Sequence, residues 1–213
     1  MEEPFDATEM EAEARADFSA FKLYLNLAEG FPDFVRDFGT KWEEWQRTIS
    51  AAPDVLTALG PKIIPLVVYK LALDCDDARA VRLYTALQKD PDLIVDTSSA
   101  NPKSPGKEIL AKNFHRNRDV RNAIADWDEH CQRLLDYGAN IVAHIMVEYK
   151  KKGGPLFWYE LLHKIMWGHQ TDLETISFPM QYAMWLEWFE KKNHGQAPHY
   201  RRKESSGGVC GCE

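Results

Sequence analysis

Between residues 119 and 152, apolar or small side chains recur at steps of four and three: Val120, Ile124, Trp127, Cys131, Leu134, Gly138, Ile141 and Ile145. An α-helix brings positions three and four apart onto one side, whereas a strand needs alternation. Leu135, Val142 and Tyr149 widen this stripe, so it suits burial in a core better than a two-stranded seam. The spacing predicts one helix over 119–152, about 50 Å long at 1.5 Å per residue, near the centre of the fold. Gly138 is the point where it can bend or admit a neighbour.

The rest of the chain reads the same way. Thr8-Glu9-Met10-Glu11 is a capping box, opening a helix to about Glu29 with Phe18, Phe21 and Leu25 on one side. Pro32 suits the first turn of the next helix, which carries Phe34, Val35, Phe38, Trp42, Trp45 and Ile49, with Gly39 as its weak point. Pro53 opens a third helix and Gly60-Pro61 closes it. Pro65 cannot lie deep in a helix, so the next one begins near Ile63 or Ile64 and runs to Leu73, apolar on most sides. An amphipathic helix follows over 76–89. Residues 90–106 hold three prolines and read as a long surface loop. Ser104-Pro105 then starts a short helix to about Phe114.

After Gly153-Gly154-Pro155 a helix over 155–167 is apolar nearly all round. Thr171-Asp172-Leu173-Glu174 is a second capping box, and Pro179 separates a short helix from a final one over 180–192. No segment alternates as a strand does; the longest β-branched stretch is Leu93-Ile94-Val95. The expected fold is therefore an all-α bundle of seven to nine helices in a single domain over 1–195, frayed at 1–7. A disordered basic and Ser-Gly-Cys tail over 196–213 follows.

Charge narrows the range of partners. The net charge is −7, and residues 1–17 carry −6 of it through seven acids and one base. The remainder is almost neutral, which argues against nucleic acid as a partner, since that needs a net basic face. Four scattered cysteines are not a disulfide framework, and the acidic start does not resemble a secretion signal. A cytoplasmic protein is expected.

The densest candidate chemistry lies on the helix over 155–167. Glu160 and His163 are three apart and share a face that is otherwise apolar; His169 follows beyond Gly168. Burial would perturb such groups, so Glu160, His163 and His169 are the candidates for acid–base catalysis. Trp158, Trp167 and Trp185 are the candidate walls of a binding pocket. Glu160-x-x-His163 is also the spacing one helix of a carboxylate-bridged di-iron bundle uses, but no second Glu-x-x-His completes it. Asp126 with His130, and His144 with Glu148, are each four apart and can meet, yet the two histidines stand about 21 Å apart on one helix. No metal site is expected, and no cofactor is indicated.

Other features read more simply. Asp74-x-Asp76-Asp77 has the look of a magnesium motif, but capping of the next helix accounts for it. Lys112, His115, Arg116, Arg118 and Arg121 cluster around Phe114 and suit a solvated helix junction. Cys210 and Cys212 behind Arg201, Arg202 and Lys203 are not a lipidation box, so membrane attachment through them is not expected. Phosphate-binding loops, nucleophile elbows and the zinc-protease signature are absent from the sequence.

The stretch Trp158-Tyr159-Glu160-Leu161-Leu162-His163, then Trp185-x-x-Trp188-Phe189-Glu190, then His194-Gly195-x-Ala197-Pro198-His199-Tyr200 resembles helical proteins of filamentous fungi. The resemblance covers the last third of the chain. It implies a fungal origin and no activity, so no residue role is taken from it. Two functions of different class remain. One is a non-catalytic helical module binding a protein or a small molecule. The other is a small enzyme or biosynthetic accessory protein using the Glu160/His163 pair in an aromatic-walled pocket.

Overall fold

A computed structural model describes residues 20–48, 54–97, 104–151, 156–168 and 178–190. The fold is all-α: among the described residues there are ten α-helices and no strand. Helix α1 covers 20–30 and α2 runs Pro32–Arg47. They are followed by α3 (Asp54–Thr57), a 3-10 turn (Gly60–Ile63), α4 (Ile64–Leu73) and α5 (Ala78–Leu87). Then come α6 (Pro105–Ala125), α7 (Trp127–Asp136), α8 (Val142–Lys151), α9 (Leu156–Trp167) and α10 (Phe178–Glu190).

Local chemistry sets most of the boundaries. Pro32 occupies the first turn of α2, where its missing N–H costs nothing. Phe34, Phe38, Trp42 and Trp45 follow at steps of four, four and three, and all are buried. Pro65 lies in the first turn of α4, whose Ile64, Leu66, Val67, Val68 and Leu71 are buried around the whole circumference. This is the central helix of the fold, and α5 and α6 pack on it. Asp77 caps α5 by accepting from the Arg79 and Ala80 amides, the role expected for the aspartate trio.

The single helix expected over 119–152 is broken. Helix α6 runs on from Pro105 to Ala125 without the stop expected near Phe114, and Asp126 (φ −116°, ψ 51°) leaves the helical region. Helix α7 has a second irregularity at His130. It ends at Asp136, and two residues on Gly138 has a φ of +60°, a conformation that glycine adopts without strain. A 3-10 turn (Gly138–Ile141) leads into α8. The stripe keeps its inward face at Val120, Ile124, Leu134, Ile141 and Ile145, but Trp127 is 38 % exposed. Three-and-four spacing continues through a break that restores the phase, so spacing alone did not reveal the interruptions.

Two smaller expectations also change. Helix α1 buries Ala20 and Leu27 and half-buries Leu23 and Tyr24, leaving Phe21 and Leu25 exposed. Two neighbouring stripes with helical spacing exist there, and only packing chooses between them. The segment after Asp90 is not wholly a surface loop, because Leu93 and Val95 are buried. Helix α10 begins at Phe178 with Pro179 in its first turn, close to the start expected for the final helix over 180–192, and the short helix expected before Pro179 lies outside the described residues. The two capping boxes, Phe18, the break after Gly153 and the tail lie outside the described residues.

Candidate functional site

His163 belongs to the aromatic interior. It is 1 % exposed on α9, its ring lies 4.1 Å from that of Tyr159, and it meets Trp185 of α10 edge-on at 5.0 Å. Trp185 Nε1 donates to His163 Nδ1 at 3.2 Å. The Tyr159 carbonyl stands 3.1 Å from the same nitrogen. One ring nitrogen cannot accept and donate at once, so the Trp185 bond corresponds to the tautomer with its proton on Nε2. Glu160 is half-buried on α9. Trp158 is fully buried and packs on Phe157, which in turn stacks near Trp127 at 4.0 Å. Trp185 and His163 are thus together, and Trp158 belongs to the same core cluster as Trp185. His169 and the Trp167 side chain lie outside the described residues.

A different histidine lines a cavity. His144 lies within the buried run Val142–Val147 of α8 and is 8 % exposed. Its Nε2 is 3.0 Å from Asn117 Oδ1 of α6, not paired with Glu148 as the sequence spacing allowed. Glu148 bonds Lys151 instead, at 3.4 Å. Burial, and secondarily the charge of Arg121, lowers the His144 pKa to about 4. The imidazole is therefore neutral near pH 7. With the Asn117 oxygen facing it, Nε2 carries the proton and donates, and Nδ1 is left as a lone-pair acceptor without a partner among the described residues.

These two residues, with Asn26, are uncharged polar groups lining a groove of about 340 Å³ between α1, α6 and α8. Leu23, Ile124 and Val147 give it apolar walls, and Lys22, Arg121, Glu148 and Lys151 bring charge to it. Its size falls within the range of small-molecule sites. Neither Glu160 nor His163 lines it.

Two further polar features were not legible beforehand. Lys62 is 2 % exposed and donates from Nζ to the Trp188 and Phe189 carbonyls, each at 3.0 Å, near the C-terminus of α10. The ammonium also lies 4.8 Å from the Trp188 ring centre and 5.5 Å from that of Phe34. Burial is the main cause that lowers its pKa to about 8. The sequence shows Lys62 only as a polar flank of an apolar run. In the second feature, Asn113 Nδ2 donates to the Tyr84 hydroxyl at 2.8 Å and Gln88 Nε2 does so at 3.1 Å. The Tyr84 hydroxyl in turn donates to the Leu93 carbonyl at 3.3 Å.

The basic residues near Phe114 do not act together. Arg116 pairs with Asp90 at 2.6 Å and lies over the Tyr137 ring, while Lys112 donates to the Ile94 carbonyl. Arg121 alone reaches the groove. Among the described residues, no group of three or more His, Cys, Asp or Glu side chains is placed to hold a metal ion. No described helix is long and apolar enough to cross a membrane. No protein-family model matches the chain, and no curated protein or solved structure is significantly similar to it.

Proposed function

We propose that this protein is a non-catalytic helical module that binds a small molecule in the groove between α1, α6 and α8. The observation that carries the reading is a cavity of about 340 Å³ with apolar walls and a buried His144–Asn117 pair. A concavity that joins apolar walls to convergent polar groups is the make-up of a ligand site. The enzyme reading has weaker support, because His163 is enclosed by Tyr159 and Trp185 and its Nδ1 is within bonding distance of Trp185 Nε1.

Two measurements test this. Native mass spectrometry of protein purified from its own host should show a bound species of small mass. A fragment titration followed by amide NMR should shift Leu23, Asn117 and Val147 saturably. Saturable shifts confined to other surfaces would overturn the groove as the site. A turnover abolished by His163→Gln would return the enzyme reading to first place.

A further inference from the structure

We infer that the groove takes a small organic acid, with its anionic group against Arg121 and its apolar body over Leu23, Ile124 and Val147. The inference rests on the groove being a ligand site and adds the chemical class of ligand. Three helices each bring a cation to the groove: Lys22 from α1, Arg121 from α6 and Lys151 from α8. The acid that lines it, Glu148, is paired with Lys151. Among the described residues, neither Lys22 nor Arg121 has a carboxylate within ion-pair distance. Among the described residues lining the groove the excess is therefore two positive charges, in a chain whose overall charge is −7.

The arrangement is more than a basic surface. Arg121 donates from Nε to the Asn117 carbonyl at 3.3 Å, which holds the stem of its side chain beside the buried pair. The two terminal guanidinium nitrogens have the fork geometry that meets a carboxylate in two parallel bonds. The apolar walls favour a ligand that carries hydrocarbon, so a bare inorganic anion satisfies only half of the groove.

Amide NMR titrations of the full chain with sodium benzoate, benzamide and inorganic phosphate test the inference. Benzoate should shift the groove amides saturably, and benzamide and phosphate should each bind at least about ten-fold more weakly, a difference of about 1.4 kcal/mol. Arg121→Gln should remove the preference for benzoate over benzamide. Lys164→Gln, the same charge change on an exposed α9 position, should leave it intact. If Arg121→Gln fails to fold, Lys22→Gln and a rise in salt concentration should each weaken benzoate binding instead. Benzamide binding as tightly as benzoate would overturn the acid while leaving the groove a ligand site. Phosphate binding as tightly as benzoate would overturn the apolar body. Absence of saturable benzoate shifts would overturn the inference outright, and neutral fragments would then decide the groove reading separately.

Discussion

Substituting alanine for two helical glycines should produce opposite results, and the reason is a single close approach. Gly106 is in the first turn of α6, where the helix passes the backbone at Cys75. A Cβ built there would lie 2.8 Å from the Cys75 carbonyl carbon and 3.2 Å from its Cα, and would overlap the carbonyl oxygen. Carbon atoms rest at about 3.5–4.0 Å, so α6 would have to retreat by roughly 0.7 Å or more. Ser104 Oγ bonds Cys75 O at 3.5 Å and Asp76 Oδ1 at 3.1 Å, and that junction would loosen with the helix. Overpacking costs about 1–3 kcal/mol. The lost hydrogen bonding adds about 1 kcal/mol. Better helix propensity returns at most about 1 kcal/mol. Gly106→Ala should therefore destabilise by about 1–3 kcal/mol. Gly39, in α2, has nothing within 4 Å of the same hypothetical atom. Gly39→Ala should stabilise by about 0.5–1 kcal/mol through backbone entropy alone. In urea, with a slope of about 2–3 kcal/mol per molar, the Gly106→Ala midpoint should fall by about 0.3–1.5 M and the Gly39→Ala midpoint should rise by about 0.2–0.5 M. A Gly106→Ala midpoint at or above that of the parent, with unchanged slope, would refute the close approach.

Other consequences are open to measurement. Tyr84→Phe leaves the Asn113 and Gln88 amides without their buried acceptor, and should cost about 1–3 kcal/mol by chemical denaturation. His144 has a folded pKa of about 4 against 6.5 unfolded, so the unfolded chain binds the extra proton first as pH falls. Stability should be full above about pH 6.5 and decline towards pH 4 by up to about 3 kcal/mol, and His144→Asn should flatten that decline. Lys62 has a folded pKa of about 8 against 10.5 unfolded, so its contribution should improve as pH rises from about 8 to 10.5. Urea midpoints across that range should rise for the parent and stay level for Lys62→Met.

The helices were legible in the sequence wherever a local rule decided them. Pro32, Pro65 and Pro105 marked starts because each fits only a first turn, and Asp77 marked a cap because its carboxylate answers free amides. The breaks at Asp126 and Gly138 were not, since a hydrophobic stripe reports which side faces inward and not whether the axis is continuous. The direction in which α1 faces was lost for a related reason: Phe21 and Leu25 form as good a stripe as Leu23 and Leu27. At the level of the site, His163 stood out as a polar residue in an apolar helix, and it is buried against Trp185, one of the three tryptophans expected as pocket walls. The groove was invisible beforehand because its members come from three helices. His144 with Asn117 are 27 residues apart, and neither carries a motif. The signal available was the lone histidine within the apolar run Val142–Val147.

The fastening of α10 has a consequence for how the chain is made. Lys62 grips carbonyls 126 and 127 residues further on, and Phe31, just before α2, and Phe34 within it lie against Phe189 at 4.8 and 4.5 Å. A ribosome adding about 5–20 residues per second leaves that aromatic face and that ammonium without their partners for on the order of ten seconds. The nascent chain must therefore carry a greasy, charged seam while the intervening helices are made, and the seam closes only when the last described helix emerges.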